Sequence, residues 1–185
     1  GDGDALAIGA GHFMHAARRN VDLTVLLFDN QTYGLTKGQP SPTTPAGDQM
    51  SLAPYGNTET PMEPSSLGIS LGATFVARGF AGDPKQLRSL IVEGARHKGF
   101  SLIHILSPCV TFRGDWDPAK LLRAKRADVP ADHDVRDRFA ALALAERQDR
   151  IHLGVLYRVE GQPTFSDRLD AVSGLARGGV PVEDV

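Results

Sequence analysis

Two apolar runs, Leu23-Thr-Val-Leu-Leu-Phe28 and Ser101-Leu-Ile-His-Ile-Leu106, constrain the fold of this chain more than any other feature. Both are continuous and partly β-branched, without helical period, and read as parallel strands buried on both faces. Ahead of the first, Asp4 to Arg19 sets Ala5, Ile8, Phe13 and Ala16 among small residues and closes on Arg18-Arg19. That is the pattern of a packed helix whose positive charges meet the negative end of its dipole, with Asp4 in the first turn. Between the runs, Ser65 to Leu71 reads as a short helix and Ala73 to Ala77 as a strand. Asp83 to Lys98 reads as a helix with Asp83 as N-cap and Pro84 in its first position. The order strand, helix, strand, helix, strand predicts an α/β fold built on a doubly wound parallel sheet, with ligands at the carboxyl ends of its strands. Further on, Pro118 to Arg126 and Val135 to Gln148 are expected to be helical and Ile151 to Arg158 an edge strand. The tail from Thr164 is expected to form one helix and a loose end.

The 185 residues suffice for one core, and the chain is read as a single domain over 1–185, with 113–185 its least defined part. A formal charge of −2 with 23% charged and 41% hydrophobic residues is that of a globular protein and argues against nucleic acid as a partner. No apolar run approaches the roughly 20 residues that cross a bilayer, so no membrane segment is expected. The chain opens on glycine and acidic residues rather than a basic and apolar leader, and its lone cysteine, Cys109, has no internal disulfide partner. Both point to the cytoplasm.

The chain opens on Gly1-Asp2-Gly3, and Asn30 follows directly on the first apolar run and Asp29. A diphosphate with a divalent cation needs glycines for close backbone approach, helix N-terminal amides for its oxygens, and hard oxygen ligands for the metal. Asp2 offers a carboxylate, Asn30 an amide oxygen and Thr32 a backbone carbonyl. The glycine motif alone leaves a dinucleotide, a diphosphate cofactor and no ligand all open. Such a loop ordinarily follows a buried strand, so a strand is expected upstream of residue 1 and the chain reads as N-terminally truncated.

Residues 31–64, dense in Pro, Gly, Ser and Thr, form a loop long enough to suggest function. Its opening string, Asp29-Asn-Gln-Thr-Tyr-Gly-Leu-Thr-Lys-Gly-Gln-Pro-Ser-Pro-Thr-Thr44, joins two others, His12-Phe-Met-His-Ala-Ala-Arg-Arg-Asn20 and Ser107-Pro-Cys-Val-Thr-Phe112. With Gly1-Asp2-Gly3 and Asn30, these resemble the thiamine-diphosphate-binding β subunit of 2-oxoacid:ferredoxin oxidoreductases over residues 1 to about 112. Beyond Phe112 the likeness thins, and Arg113 stands where the family commonly has Asn.

The resemblance implies that Asp2, Asn30 and the Thr32 carbonyl hold magnesium. Gly1, Gly3, Asp4, Tyr33, Gly34, Leu35 and Thr36 would border thiamine diphosphate. Leu35 and Lys37 would lie beside the reactive carbon, with Lys37 attracting the carboxylate of a dicarboxylic 2-oxoacid or the anionic coenzyme A. Cys109 would be one ligand of a 4Fe-4S cluster whose other cysteines lie outside this chain, at the same sheet edge as Asn30. The implied activity is oxidative decarboxylation of a 2-oxoacid, with 2-oxoglutarate or a broad range favoured over strict pyruvate use. The acyl group would pass to coenzyme A and the electrons to ferredoxin. An α subunit is the implied partner, and the isolated chain is expected to be inactive.

Blander readings stand beside these. Lys37 competes with a solvated loop lysine, and Cys109 with a packed structural thiol. His12 and His15 share a helix face without a third ligand, and His97, His104, His133 and His152 receive no chemistry. Glu59 and Glu63 are not assigned the activation of the cofactor's pyrimidine, a role the resemblance gives to the partner subunit. The alternatives are a non-redox thiamine-diphosphate enzyme of decarboxylase or acetolactate-synthase type, and a nonenzymatic diphosphate-binding fragment.

Overall fold

The computed structural model describes residues 1–109, 111–112, 120, 124–147 and 149–177. The apolar runs become neighbouring strands of one sheet. Strands β1 (Leu23–Asp29), β2 (Phe75–Phe80), β3 (Phe100–Leu106), β4 (Arg126–Asp128) and β5 (Ile151–Arg158) stand in the order β1-β3-β2-β5-β4. The first three are parallel, with Asp29 opposite Leu106 and Arg78 opposite His104. The strand at Ile151–Arg158, whose direction the sequence leaves open, runs antiparallel to β2. It is not the expected edge, since the short β4 pairs along its other side.

Helices α1 (Ala10–Arg18), α2 (Pro64–Leu71), α3 (Pro84–Arg96), α4 (Arg138–Ala145) and α5 (Phe165–Arg177) complete the described elements. On one sheet face, Leu27, Val76, Phe100 and Leu102 pack with residues of α1, α2 and α4, among them Phe13, Ala17, Ile69 and Ala141. On the other, Phe75, Ala77, Ile103 and Ile105 meet Leu90 of α3. Helices on both faces are the doubly wound arrangement.

Caps set the helix starts. Asp83 Oδ1 accepts from Gln86 N at 3.2 Å ahead of Pro84, as the sequence predicts. Asp137 accepts from Phe139 N and Ala140 N, so α4 opens later than the expected Val135. The expected Asp4–Arg19 helix divides. Asp4–Ile8 is a π-helical turn closed by Gly9 N donating to Asp4 O at 2.7 Å, and α1 follows. A Cβ on Gly9 would lie 2.6 Å from that same oxygen, so the turn admits only glycine there.

One strand is less buried than its sequence suggests. β1 pairs only with β3 among the described residues, and Leu23, Leu26 and Phe28 are exposed rather than enclosed. Among the described residues β1 has one neighbour, and α3 covers only part of its outer face. Most of the expected helix Pro118–Arg126 lies outside the described residues, as do Arg113 and residues 178–185, and Arg126 itself opens β4. Among the described residues, no helix is long and apolar enough to cross a membrane.

Candidate cofactor and metal site

At the carboxyl ends of β1 and β3, a cleft of about 310 Å³ is lined by residues 1–4, by Asn30 and by residues 32–36. These are Gly1, Asp2, Gly3, Asp4, Asn30, Thr32, Tyr33, Gly34, Leu35 and Thr36, the set the resemblance places beside the cofactor. The chain's first turn brings Asp2 against the end of β1, where Asn30 N faces Asp2 Oδ1 at 3.4 Å. Asn30 Oδ1 accepts from Thr32 N at 3.0 Å, which curls the chain so that both residues present to the cleft.

Gly3 is required by a neighbour. The Tyr33 ring lies over it, and a Cβ there would be 2.3 Å from Tyr33 Cε1. Tyr33 Oη donates to Gly3 O at 3.2 Å, and burial beside Asp2 and Asp4 raises the phenol's pKa. Leu35 is almost fully exposed at the cleft rim. Lys37 lies outside the lining, on the following turn, in the left-handed region at φ +79°. Ser51 Oγ donates to the Lys37 and Gly38 carbonyls at 2.8 and 2.9 Å, and the Tyr33–Gln39 and Met50–Ala53 bridges brace the loop. The long segment 31–64 is thus a built structure.

Behind the cleft wall runs a buried polar chain. Thr43 Oγ1 is 2.8 Å from Asp2 Oδ2 and 2.8 Å from Asp29 Oδ1. Asp29 Oδ2 meets His104 Nε2 at 2.9 Å. His104 Nδ1 faces Ser65 Oγ at 2.9 Å and Glu63 Oε1 at 3.3 Å, and Glu63 pairs with Arg78 at 2.5 Å. Burial disfavours a charged His104, but its hydrogen bonds to the Asp29 and Glu63 carboxylates outweigh it and raise its pKa. For Glu63 burial pushes up, yet Arg78, His104 and the Ser66 amide hold its carboxyl well below the usual range. The far end of this chain lines a second cavity of about 240 Å³, to which Asp29, Thr43, Glu63, Arg78 and His104 all contribute.

Sequence reading misses this chain. It gives His104 no chemistry, yet the residue is 3% exposed with both ring nitrogens engaged. The signal is present: an ionisable side chain in the middle of an otherwise apolar buried strand must have partners. Glu63 proves to be the N-cap of α2 and the partner of Arg78. His12 and His15 are exposed, and His15 Nδ1 accepts from Arg18 Nε at 3.4 Å.

Cys109 is half-buried and follows β3 closely, and Ser107 N donates to Asp29 O at 2.8 Å. It therefore lies at the same sheet edge as Asn30, and Phe112 beyond it packs on Gly34 and Gly38 of the cleft loop. Among the described residues, no group of three or more His, Cys, Asp or Glu side chains converges as a metal site.

Residues 1–105 match the family model for the thiamine pyrophosphate enzyme, C-terminal TPP binding domain. The chain belongs to this family. Residues 109–174 match a second model, that of the C terminal part of the pyruvate ferredoxin oxidoreductase beta subunit. Within the thiamine pyrophosphate family, similar proteins include a 2-oxoacid:ferredoxin oxidoreductase subunit beta from Sulfolobus sp, 40% identical over 94% of this chain and 60% of that protein. A 2-oxoglutarate synthase subunit KorB from Methanocaldococcus jannaschii is 45% identical over 91% of this chain and 62% of its own length. A solved 2-oxoglutarate:ferredoxin oxidoreductase from Magnetococcus marinus, with 2-oxoglutarate, coenzyme A and succinyl-CoA bound, matches with a TM-score of 0.88. It is 39% identical, over 99% of this chain and 62% of that one. The chain thus spans a little over three fifths of the length of these relatives.

The donor set fits the family's cofactor. A hard divalent cation takes oxygen ligands, and Asp2, Asn30 and the Thr32 backbone bring a carboxylate, an amide and a carbonyl to one cleft. The same test fails for a cluster within this chain, since one thiolate cannot hold iron that needs four.

Proposed function

We propose that this chain is the thiamine-diphosphate-binding part of the β subunit of a 2-oxoacid:ferredoxin oxidoreductase, with 2-oxoglutarate as favoured substrate. The carrying observation is the cleft, whose lining coincides with the residues that the resemblance assigns to the cofactor. Bound thiamine diphosphate supplies the electron sink that decarboxylation of a 2-oxoacid requires. Asp2, Asn30 and the Thr32 carbonyl hold magnesium against the diphosphate, while Gly1, Gly3 and Asp4 border it from the first turn. Tyr33, Gly34 and Thr36 would wall the opposite side, and Leu35, exposed at the rim, would lie beside the reactive carbon.

Lys37, two residues beyond Leu35, meets the distal carboxylate of 2-oxoglutarate or the phosphates of coenzyme A as a point charge. Its left-handed backbone and the Ser51 clamp on its carbonyl support this role, because such strain persists only where surroundings impose it. Cys109 supplies one thiolate of a 4Fe-4S cluster completed by cysteines beyond this chain. The match of residues 109–174 to the oxidoreductase model favours this redox reading over a non-redox thiamine-diphosphate enzyme. The active site is completed by an α subunit, ferredoxin accepts the electrons, and the cytoplasm is the setting.

The test uses the complete β subunit with its α partner. Ferredoxin reduction should depend on 2-oxoglutarate, coenzyme A and thiamine diphosphate together. Lys37→Ala should raise KM for 2-oxoglutarate far more than for pyruvate, and Cys109→Ser should lower cluster content. Thiamine-dependent decarboxylation without ferredoxin reduction would favour the non-redox reading.

A further inference from the structure

We propose that Thr43 and His104 are positioning residues of the magnesium site, Thr43 holding the inner oxygen of the Asp2 carboxylate and His104 holding Asp29 behind Thr43. The inference rests on the thiamine-diphosphate reading above. Asp2 is 1% exposed and its two oxygens are differently engaged. Oδ2 faces Thr43 Oγ1 at 2.8 Å, and Oδ1 has a long contact with Asn30 N at 3.4 Å on the cleft side. One oxygen is tethered inward, which leaves the other for a cation. The Thr43 hydroxyl keeps the shorter of the two bonds to Asp2 in place because a further fixed point stands behind it.

That fixed point is Asp29. Its Oδ1 lies 2.8 Å from Thr43 Oγ1 and its Oδ2 is held by His104 Nε2 at 2.9 Å, while Gln31 N donates to Oδ1 at 3.2 Å. His104 is pinned in turn by Ser65 and Glu63 at the start of α2 and by its place in the middle of β3. Sheet register brings these groups together. Residues 27 and 29 of β1, 104 of β3 and 78 of β2 point to the same face, with His104 opposite both Leu27 and Arg78.

Thr43 has one hydroxyl hydrogen for two carboxylates. Two buried anions sharing one donor oppose folding unless a positive charge joins them. His104 balances Asp29 from one side, and Asp2 remains the anion facing the cleft. A chain of this kind is a poor way to gain stability, because buried ion pairs roughly break even against apolar packing. It is an effective way to orient a metal ligand, where outer partners typically govern about 10–100-fold in affinity.

The experiment titrates Mg2+ into the metal-stripped, thiamine-diphosphate-loaded αβ complex by calorimetry and records the melting temperature of the metal-free protein. Thr43→Val and His104→Gln should each weaken Mg2+ binding by roughly 10–100-fold. Thr43→Ser, which restores the hydroxyl, should bind close to wild type. A purely structural role would lower the metal-free melting temperature of Thr43→Val while leaving its Mg2+ affinity intact, and that result overturns the proposal. If His104→Gln does not assemble, the Thr43→Val and Thr43→Ser pair decides. A wild-type complex that takes up no thiamine diphosphate overturns the functional reading and this inference with it. Tight wild-type binding matched by all variants overturns this inference alone.

Discussion

The sheet carries a buried polar cluster at each end, and the two are built on opposite principles. At the amino end, Asn20, Thr74 and His97 form a neutral knot. Asn20 Oδ1 accepts from Thr74 Oγ1 at 2.9 Å and Phe100 N at 2.8 Å, its Nδ2 donates to Pro163 O at 3.2 Å, and His97 Nε2 meets Thr74 Oγ1 at 2.8 Å. Burial lowers the His97 pKa, so the ring stays neutral. At the carboxyl end, Asp2, Asp29, His104, Glu63 and Arg78 are ionic, and Asp2 and Asp29 share one hydroxyl. This knot joins the chain ahead of β1 and β2 to the start of β3 and so ties the fold together. The ionic cluster has surplus acceptors and presents the Asp2 carboxylate to the cleft.

Substitution at each end separates these roles. The largest effect belongs to Asp2→Asn, which removes the charge that faces the cleft. Calorimetry on the complete complex should show magnesium and thiamine diphosphate binding weakened beyond the roughly 10–100-fold typical of an outer partner. Unaltered binding would break the comparison. Asn20→Leu is its counterpart, orphaning the Phe100 amide and removing the Asn20 partner of Thr74 Oγ1. Urea unfolding should show a loss of about 2–4 kcal/mol, with magnesium affinity unchanged.

Gly3→Ala tests the cleft wall. Its Cβ would meet the Tyr33 ring at 2.3 Å, so the ring must move. Overpacking of this kind costs about 1–3 kcal/mol, and cofactor affinity should fall with it, measurable by the thiamine diphosphate concentration needed for half-saturation. The smallest effect is one of pH. The folded Glu63 carboxyl sits below its ordinary value of 4.5, so its contribution is complete above that pH and is lost as acid approaches the folded value. Denaturation midpoints measured from pH 7 to pH 3 should fall less steeply in Glu63→Gln than in wild type. His97 in the Asn20 knot, whose pKa burial lowers, should add its own fall as pH drops below the ordinary histidine value, equally in wild type and in Glu63→Gln.

Much of the cleft was legible in the chain because its residues are local in sequence. Gly1, Asp2, Gly3 and Asp4 form one turn and Asn30 to Thr36 another, and the two turns line one cleft. The central strands were legible for the same reason, since a buried strand writes its burial into consecutive apolar residues. Whether β1 has one neighbour or two is not written in its own residues, and among the described residues it has one. The direction of β5 was equally hidden, as its residues suit either direction.

His104 and Thr43 show what kind of information was missing. Each looks ordinary in its own segment, a histidine in a strand and a threonine in a Ser-Pro-Thr-Thr loop. They become connected only when register sets His104 beside β1 and the loop returns Thr43 to the end of that strand. The sequence alone determined the α/β class, the Asp83 cap and the cleft's first line of residues, since each follows from side chains a few positions apart. Only the tertiary structure decided which buried groups stand behind Asp2. Hydrogen bonds such as Thr43–Asp2 and His104–Asp29 join residues 41 and 75 positions apart, and no local pattern encodes a contact of that separation.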